Sequence, residues 1–144
     1  MRIVATSDTH FVPVQGWIPG GDVFIHARDL MQDGYPSEWW ERVDWLASLP
    51  HKTKIFVAGN HDFHLQVYPG PASHNLRSAG VLVVGRPASR DIVELPNGMK
   101  LLGLPGVANM RNWAFNWDPT DLIKYVHSFK GEKVDIVVSQ SAVS

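Results

Sequence analysis

The 144-residue chain contains no cysteine, which excludes a disulfide framework and a metal site built from thiolates. Its net charge is also small, because 13 basic residues against 14 acidic ones leave a formal charge of −1. A general electrostatic attraction to nucleic acid or to an anionic membrane is therefore not expected. No apolar stretch approaches the roughly 20 residues of a membrane-spanning helix, and we expect no signal peptide. These absences predict a cytoplasmic protein, and the length predicts a single domain, residues 1–144.

What the chain does contain is a pattern that occurs three times in its first half, a short apolar run followed by side chains that can bind a metal ion. The runs and their polar residues are Arg2 to Ser7 with Asp8 and His10, Val23 to Ala27 with Asp29, and Lys54 to Ala58 with Asn60, His61 and Asp62. Each run has the length and composition of a buried strand. Carboxylate, amide and imidazole groups together suit divalent metals such as Mn, Fe or Zn, so the pattern favours a metal-dependent hydrolase.

The rest of the chain predicts a layered α/β domain. Pro36 to Leu49 reads as a helix between the second and third strands, since its apolar residues fall on one side and proline is tolerated in a first turn. The second half adds further strands, a hairpin turn at Asn97-Gly98 and one helix. The strands are Val81 to Val84, Asp91 to Leu95, Lys100 to Leu104 and Val134 to Ser139, and the helix is Pro119 to Phe129. This order of elements is typical of layered α/β folds.

Asp8 and His10 are separated by one residue, so at the end of an extended strand both side chains leave on the same side. Together they supply two ligands for one metal ion. Open α/β sheets place their ligand sites in the crevice at the carboxyl ends of the strands, where this pair lies. The pair can equally form a turn held by an ordinary hydrogen bond, and alone it does not decide between the two interpretations.

The other two clusters have similar alternatives. Asp29 can cap a helix or form a turn, and Gly59-Asn60 can form a turn that leaves His61 in solvent. In a site, Gly59 permits a close backbone approach and Asn60 supplies a neutral oxygen ligand. His61 can donate a proton, and Asp62 can fix the tautomer of that imidazole. Three such clusters, each at a predicted strand end, favour the site.

The motifs Ser-Asp-Thr-His at 7–10, His-Ala-x-Asp at 26–29 and Gly-Asn-His-Asp at 59–62 resemble those of the calcineurin-like metallophosphoesterases. Further along, Asn-Trp-Ala-Phe-Asn at 112–116 and Val-Asp-Ile-Val-Val at 134–138 resemble the metallophosphoesterase-domain branch of that family. The resemblance covers nearly the entire chain. It implies a sandwich of two β-sheets flanked by helices, and a hydrolase that acts on a phosphate ester, with a phosphodiester favoured over a monoester.

The resemblance also implies roles for individual residues. Asp8 and His10 become ligands of a first metal, and Asp29 bridges that metal to a second one. Asn60 becomes a ligand of the second metal, and His61 donates a proton to the leaving oxygen or contacts the phosphate. In the implied mechanism a metal-bound hydroxide attacks phosphorus in line, between metals about 3.5–4 Å apart. The expected partner is a phosphate-ester small molecule or a nucleotide.

The chain departs from the family pattern at its metal ligands. Gln140 stands where the family has a histidine after the last predicted strand, and the family's later Gly-His-x-His motif does not follow. The first metal thus keeps three ligands, whereas the second keeps Asp29 and Asn60, with Gln140 as a weak oxygen ligand. We therefore expect one firmly bound divalent ion and at most a weakly held second one.

Arg28 is a further departure, because the family usually has glycine before the bridging aspartate. Its guanidinium can bind a phosphate through two parallel hydrogen bonds, or it can turn outward into solvent, and we favour the outward orientation. Arg28 is nevertheless a candidate for binding substrate. His64 is the second candidate, since it follows the third motif closely enough to lie at the edge of a pocket.

The missing C-terminal motif has a structural consequence, because in the family that part adds strands. The domain is expected to lack the last strands, which leaves Val134 to Val138 as an apolar edge without Pro or Lys. Such edges pair with other chains, so we expect a homo-oligomer. Three interpretations stay open. The first is a phosphoesterase with reduced activity, and the second is a catalytically degenerate module that binds a metal or nucleotide and acts through partner proteins. The third is an incomplete product whose missing histidines come from another subunit or were lost by truncation.

Overall fold

The computed structural model describes residues 1–10, 16–109 and 111–140. In chain order the elements of these residues are β1 (Ile3–Ser7), β2 (Val23–Ala27), α1 (Pro36–Ser48), β3 (Thr53–Val57), α2 (Phe63–Val67), α3 (Pro69–Ser78), β4 (Val81–Val83), β5 (Ile92–Glu94), β6 (Lys100–Leu104), β7 (Val107–Ala108), β8 (Asn116–Trp117), α4 (Pro119–His127) and β9 (Ile136–Ser139). Within this described part of the chain, no helix is long and apolar enough to cross a membrane.

The first sheet holds four parallel strands in the order β1-β2-β3-β4. Its register aligns the strand ends, because Ser7 pairs with Ala27 and Ala27 pairs with Val57. Residues that follow these three strands therefore emerge side by side at one edge of the sheet. This is the arrangement that the three sequence clusters predict.

The second sheet has the order β5-β6-β9. Strands β5 and β6 form the antiparallel hairpin predicted from Asn97-Gly98, and Gly98 adopts a φ of 86° that glycine tolerates easily. Strand β9 runs parallel to β6 and pairs with no other strand in the described residues. Strands β7 and β8 form a separate short parallel pair.

Three apolar clusters show how the layers stack. On one face of the first sheet, Phe24 packs with Trp39 of α1. On its other face, Ile25 packs with Leu101 of the second sheet. Beyond the second sheet, Tyr125 of α4 forms a third cluster with the outer face of β6. Alternate residues of one strand thus serve two cores, which confirms the predicted sandwich of two sheets flanked by helices.

Helices α2 and α3 were not predicted from the sequence. Helix α2 is only five residues long and starts directly after the Gly-Asn-His-Asp segment. Helix α3 begins with Pro69-Gly70-Pro71, which resembles a loop by composition although proline fits a first helical turn. Its buried residues Ala72 and Leu76 are four apart and join the core beside α1, so tertiary packing stabilises a segment of poor intrinsic helix propensity.

Candidate metal centre

The loops that follow β1, β2 and β3 are tied together by backbone hydrogen bonds. The Asp8 N–H donates to the carbonyl of Arg28 (3.2 Å) and the His10 N–H donates to the carbonyl of Asp29 (3.1 Å). The Arg28 N–H donates in turn to the carbonyl of Val57 (2.7 Å). Asp8, His10, Arg28 and Asp29 all have φ between 43° and 60°, the left-handed region that non-glycine residues rarely adopt. Such conformations cluster at functional sites because the surrounding structure has to enforce them.

Three of the predicted ligands converge at this edge. Asp8, His10 and Asp29 each offer one ligand atom, and the three atoms lie within 4.8 Å of one another. The Nδ1 of His10 is 3.2 Å from the carbonyl oxygen of Met31. A carbonyl can only accept a hydrogen bond, so Nδ1 carries the proton and Nε2 is the nitrogen left to bind a metal. Two carboxylates and an imidazole oriented in this way fit a divalent metal ion.

Arg28 lies inside this group, so the prediction that it turns outward is wrong. Its Nε donates to Asp8 Oδ2 (3.1 Å), and its Nη1 donates to the backbone carbonyl of Gln140 (2.6 Å). Burial alone would raise the pKa of Asp8, but hydrogen bonds from Ser7 and Arg28 and the charge of Arg28 outweigh it and hold that pKa below its ordinary value. Two hydrogen bonds to acceptors at the strand ends favour this inward orientation of Arg28 over hydration of its guanidinium in solvent.

Asp29 sits at the centre of the group and is nearly fully buried, with 4% of its surface exposed. Its Oδ1 accepts a hydrogen bond from the backbone N–H of His61 (3.0 Å), which joins the loops after β2 and β3. Gly59 makes this approach possible, because a Cβ at that position would collide with Oδ1 and with the backbone nitrogen of Asp29. The same Cβ would lie 2.5 Å from Gln140 Oε1. Asp29 and Gln140 therefore converge at Gly59.

His61 is half-buried beside His10, with their ring centroids 4.6 Å apart in an edge-to-face arrangement. Its Nδ1 lies 2.7 Å from the carbonyl oxygen of Gln32, so Nδ1 carries the proton and Nε2 is free to act. On its other side the ring is 4.3 Å from the ring of Trp113, which stacks on Phe63 at 6.2 Å. His61 thus lies between the ligand group and a half-exposed aromatic wall.

Asp62 does not orient His61, which corrects the sequence-based prediction. Its carboxylate accepts hydrogen bonds from the backbone N–H groups of Met31 (3.0 Å) and Gly59 (2.7 Å), and the carbonyl of Gln32 orients the His61 ring instead. Complete burial raises the pKa of Asp62 to about 7. The loop donors after β2 and β3 need an acceptor in the interior, and Asp62 supplies it.

Asn60 and Gln140 are paired with each other. Gln140 Oε1 accepts a hydrogen bond from the Asn60 backbone N–H (3.1 Å), and Gln140 Nε2 donates to Asn60 Oδ1 (3.0 Å). Both residues are buried. Two of the three residues predicted to bind a second metal are thus hydrogen-bonded to each other, which a sequence separation of 80 residues gave no means to foresee.

His64, a predicted substrate-binding residue, contacts two aromatic rings. Its ring stacks on Trp39 of α1 at 4.9 Å and contacts Tyr68 at 5.3 Å, and burial lowers its pKa.

Sequence reasoning missed two contributors to the site. Gln32 acts through a backbone carbonyl, which leaves no sequence signal. Thr9, between the predicted ligands Asp8 and His10, forms a hydrogen bond through Oγ1 with Nε2 of the buried His26 (2.8 Å).

Comparison with known proteins adds independent findings. A family model described as calcineurin-like phosphoesterase matches residues 1–142. The human metallophosphoesterase domain-containing protein 1 is 49% identical over 63 residues, which are 42% of this chain and 19% of that protein. A UPF0046 protein of Caenorhabditis elegans is 36% identical over 87 residues, 59% of this chain and 30% of that protein.

A protein of Emericella nidulans named probable rhamnogalacturonate lyase C is 31% identical over 125 residues. The matched region is 84% of this chain but 12% of that protein. The chain thus spans less than a third of the length of each of these relatives.

Proposed function

Since the chain belongs to the calcineurin-like phosphoesterase family, we propose that it hydrolyses a phosphate ester with a divalent metal ion held by Asp8, His10 and Asp29. The observation that carries this proposal is the convergence of these three donors. The Nε2 of His10 is left free for the metal by the Nδ1 contact to Met31. A divalent ion supplies Lewis-acid activation of the phosphate and of a water molecule. Mn, Fe and Zn all suit this donor set.

The chain's own residues supply binding and proton transfer. In its protonated form, His61 donates from Nε2 to the leaving oxygen or to a phosphate oxygen, and the Gln32 carbonyl keeps the ring in that orientation. Arg28 keeps donors that are not used by Asp8 and Gln140 for phosphate oxygens. Trp113 offers an apolar face beside His61 to the organic part of the ester.

The finer assignments rest on the resemblance of the motifs. We propose a phosphodiester as the preferred substrate, from a small molecule or a nucleotide, in a cytoplasmic protein whose domain extends over residues 1–144. We also propose that activity is reduced relative to a complete two-metal site, because Asn60 and Gln140 are occupied with each other. His64 stays a candidate for the pocket rim, although its contacts are with Trp39 and Tyr68.

Hydrolysis assays test the proposal directly. Purified protein would be freed of metal with a chelator, reloaded with Mn²⁺, Fe²⁺ or Zn²⁺, and assayed with bis(4-nitrophenyl) phosphate and 4-nitrophenyl phosphate. We expect turnover that requires metal, is faster with the diester and is abolished in Asp8→Ala. His61→Ala is expected to lower kcat by roughly 10²–10⁴-fold, with Mn²⁺ binding retained. His127→Ala, at an exposed position on α4, is the matched control and should leave kcat unchanged.

A second candidate function is favoured by the Asn60–Gln140 pair. A domain that holds one metal or a nucleotide without turnover would act through partner proteins. If none of the three metals gives hydrolysis above a protein-free control, while the folded protein still binds Mn²⁺, this second function replaces the first.

A further inference from the structure

Two residues that depart from the family pattern, Arg28 and Gln140, touch each other. The Arg28 guanidinium donates from Nε to Asp8 Oδ2 and from Nη1 to the Gln140 carbonyl, at 3.1 and 2.6 Å. Its side chain therefore links the first ligand loop to the end of β9. The Arg28 side chain keeps 37% of its surface exposed, so it is also accessible to solvent.

The orientation of the Gln140 carboxamide is determined by a backbone group. The Asn60 N–H can only donate, so the atom of Gln140 that faces it has to be the oxygen Oε1. Nε2 must then face Asn60 Oδ1, and its hydrogens point at the oxygen that would otherwise bind a cation. Each amide oxygen thus already accepts a hydrogen bond inside the pair, which takes up one of its two lone pairs.

The donors around this second position do not fit a divalent metal ion. In the described residues its two amide oxygens each accept a hydrogen bond within the Asn60–Gln140 pair, and the nearby carboxylate of Asp29 also belongs to the first ligand group. A permanent positive charge, Arg28, stands between that group and Gln140. The guanidinium repels a divalent ion at either position, but the first position has the carboxylates of both Asp8 and Asp29 to offset that charge.

We propose that Arg28 takes the place of a second metal ion: the centre binds one divalent cation, and the guanidinium supplies the second positive charge to the phosphate. Arg28 is suited to this because it is always charged and keeps free N–H donors after its bonds to Asp8 and Gln140. The amide oxygens that remain as ligands for a second cation already accept hydrogen bonds within the Gln140–Asn60 pair. The phosphate part of this inference rests on the proposed function, whereas the cation count does not.

Counting bound Mn²⁺ tests the inference without any activity measurement. Equilibrium dialysis with electron paramagnetic resonance is expected to give one Mn²⁺ per wild-type chain. The double variant Arg28→Gly/Gln140→His should bind two, with the spectrum of a coupled pair. Arg28→Lys keeps the charge and should stay at one. Circular dichroism and thermal unfolding establish that each variant is folded, and only folded variants are counted.

A second measurement tests the contact with phosphate. Orthophosphate binding to the Mn²⁺-loaded protein should weaken roughly tenfold in Arg28→Lys, because an ammonium lacks the planar fork of a guanidinium. Two Mn²⁺ ions per wild-type chain, a folded double variant that still binds one, or unchanged phosphate binding in Arg28→Lys would each overturn the inference. If the counts and the phosphate result hold but no ester is hydrolysed, the proposed function falls and the inference stands. Hydrolysis by a wild-type protein that binds two ions would overturn the inference and leave the proposed function standing.

Discussion

The two halves of the candidate metal centre both lie at the ends of strands, but their side chains are left in different states. After β1 and β2, Asp8, His10 and Asp29 turn their ligand atoms toward one point. After β3 and β9, the amides of Asn60 and Gln140 are turned toward each other. In the first half, the backbone carbonyl of Met31 accepts a hydrogen bond from Nδ1 of His10, which leaves Nε2 to bind a metal. Whether a side chain can bind a metal is therefore decided by what its other atoms already bond.

The largest expected effect is on Mn²⁺ binding, and it distinguishes the two halves of the centre. Asp29→Asn removes a charged ligand of the first half without changing its size and should weaken Mn²⁺ binding by roughly 100-fold or more. Asn60→Ala removes a residue of the second half and should change it by less than about threefold, since its amide is not presented to the cation. Calorimetric titration with Mn²⁺ measures both. Similar losses in the two variants would show that the halves act as one site.

The stability of the protein in acid tests how His26 supports the first half, because His26 is hydrogen-bonded to Thr9, which lies between the predicted ligands Asp8 and His10. Complete burial lowers the pKa of His26 to about 3, against about 6.5 when unfolded. The unfolded chain then binds a proton more readily, so the stability present above pH 6.5 is lost as the pH falls toward 3. The unfolding free energy falls by about 1.4 kcal/mol for each unit of difference between the two pKa values, or by a few kcal/mol in all.

Urea unfolding between about pH 7 and pH 4 would measure this loss. His26→Gln keeps an amide for Thr9 but cannot titrate, so its unfolding free energy should fall less steeply with acid. His127→Gln, at an exposed position, should follow the wild type. Parallel curves for wild type and His26→Gln would contradict the buried neutral state of His26.

Gly59→Ala disturbs the point where the halves meet. The added Cβ would collide with Asp29 and lie 2.5 Å from Gln140 Oε1, both within the buried interior. We expect a loss of about 1–3 kcal/mol in unfolding free energy, with weaker Mn²⁺ binding. Gly20→Ala is the control, because no atom of the described residues lies within 4 Å of a Cβ built there, and its effect should stay within about 0.5 kcal/mol. Equal thermal shifts for the two variants would contradict the close approach.

The smallest effect concerns β9, the strand that carries Gln140 to the second half. Its outer edge has no partner in the described residues, and Val137 is 51% exposed. We expect a homodimer at tens of micromolar protein by light scattering, and a monomer for Val137→Lys, since lysine on an edge discourages pairing. Val67→Lys, on the exposed surface of α2, should leave the dimer intact. A monomeric wild type would show that this edge does not pair between chains.

The local sequence pattern was sufficient to predict most of the strands. Strands β2 and β6 occupy the predicted residues and the other predicted strands lie within two residues of them, because apolar runs bounded by turn residues report burial directly. The grouping of Asp8, His10 and Asp29 was implied by the resemblance of the motifs, and the structure explains it, since adjacent parallel strands end at the same edge. Helices α2 and α3 escaped prediction, because short length and a proline-rich start hide a helix that packing stabilises.

The sequence by itself determined which side chains reach the edge of the first sheet, because strand period and strand ends are local properties. Only the tertiary structure decided what those side chains do there. Arg28 turns inward because its acceptors are Asp8, 20 residues away, and Gln140, 112 residues away. Asp62 serves backbone donors of two loops, and Gln140 closes on Asn60 across 80 residues. Hydrogen-bond partners separated by such lengths of chain are chosen by the packing of layers, which no local pattern encodes.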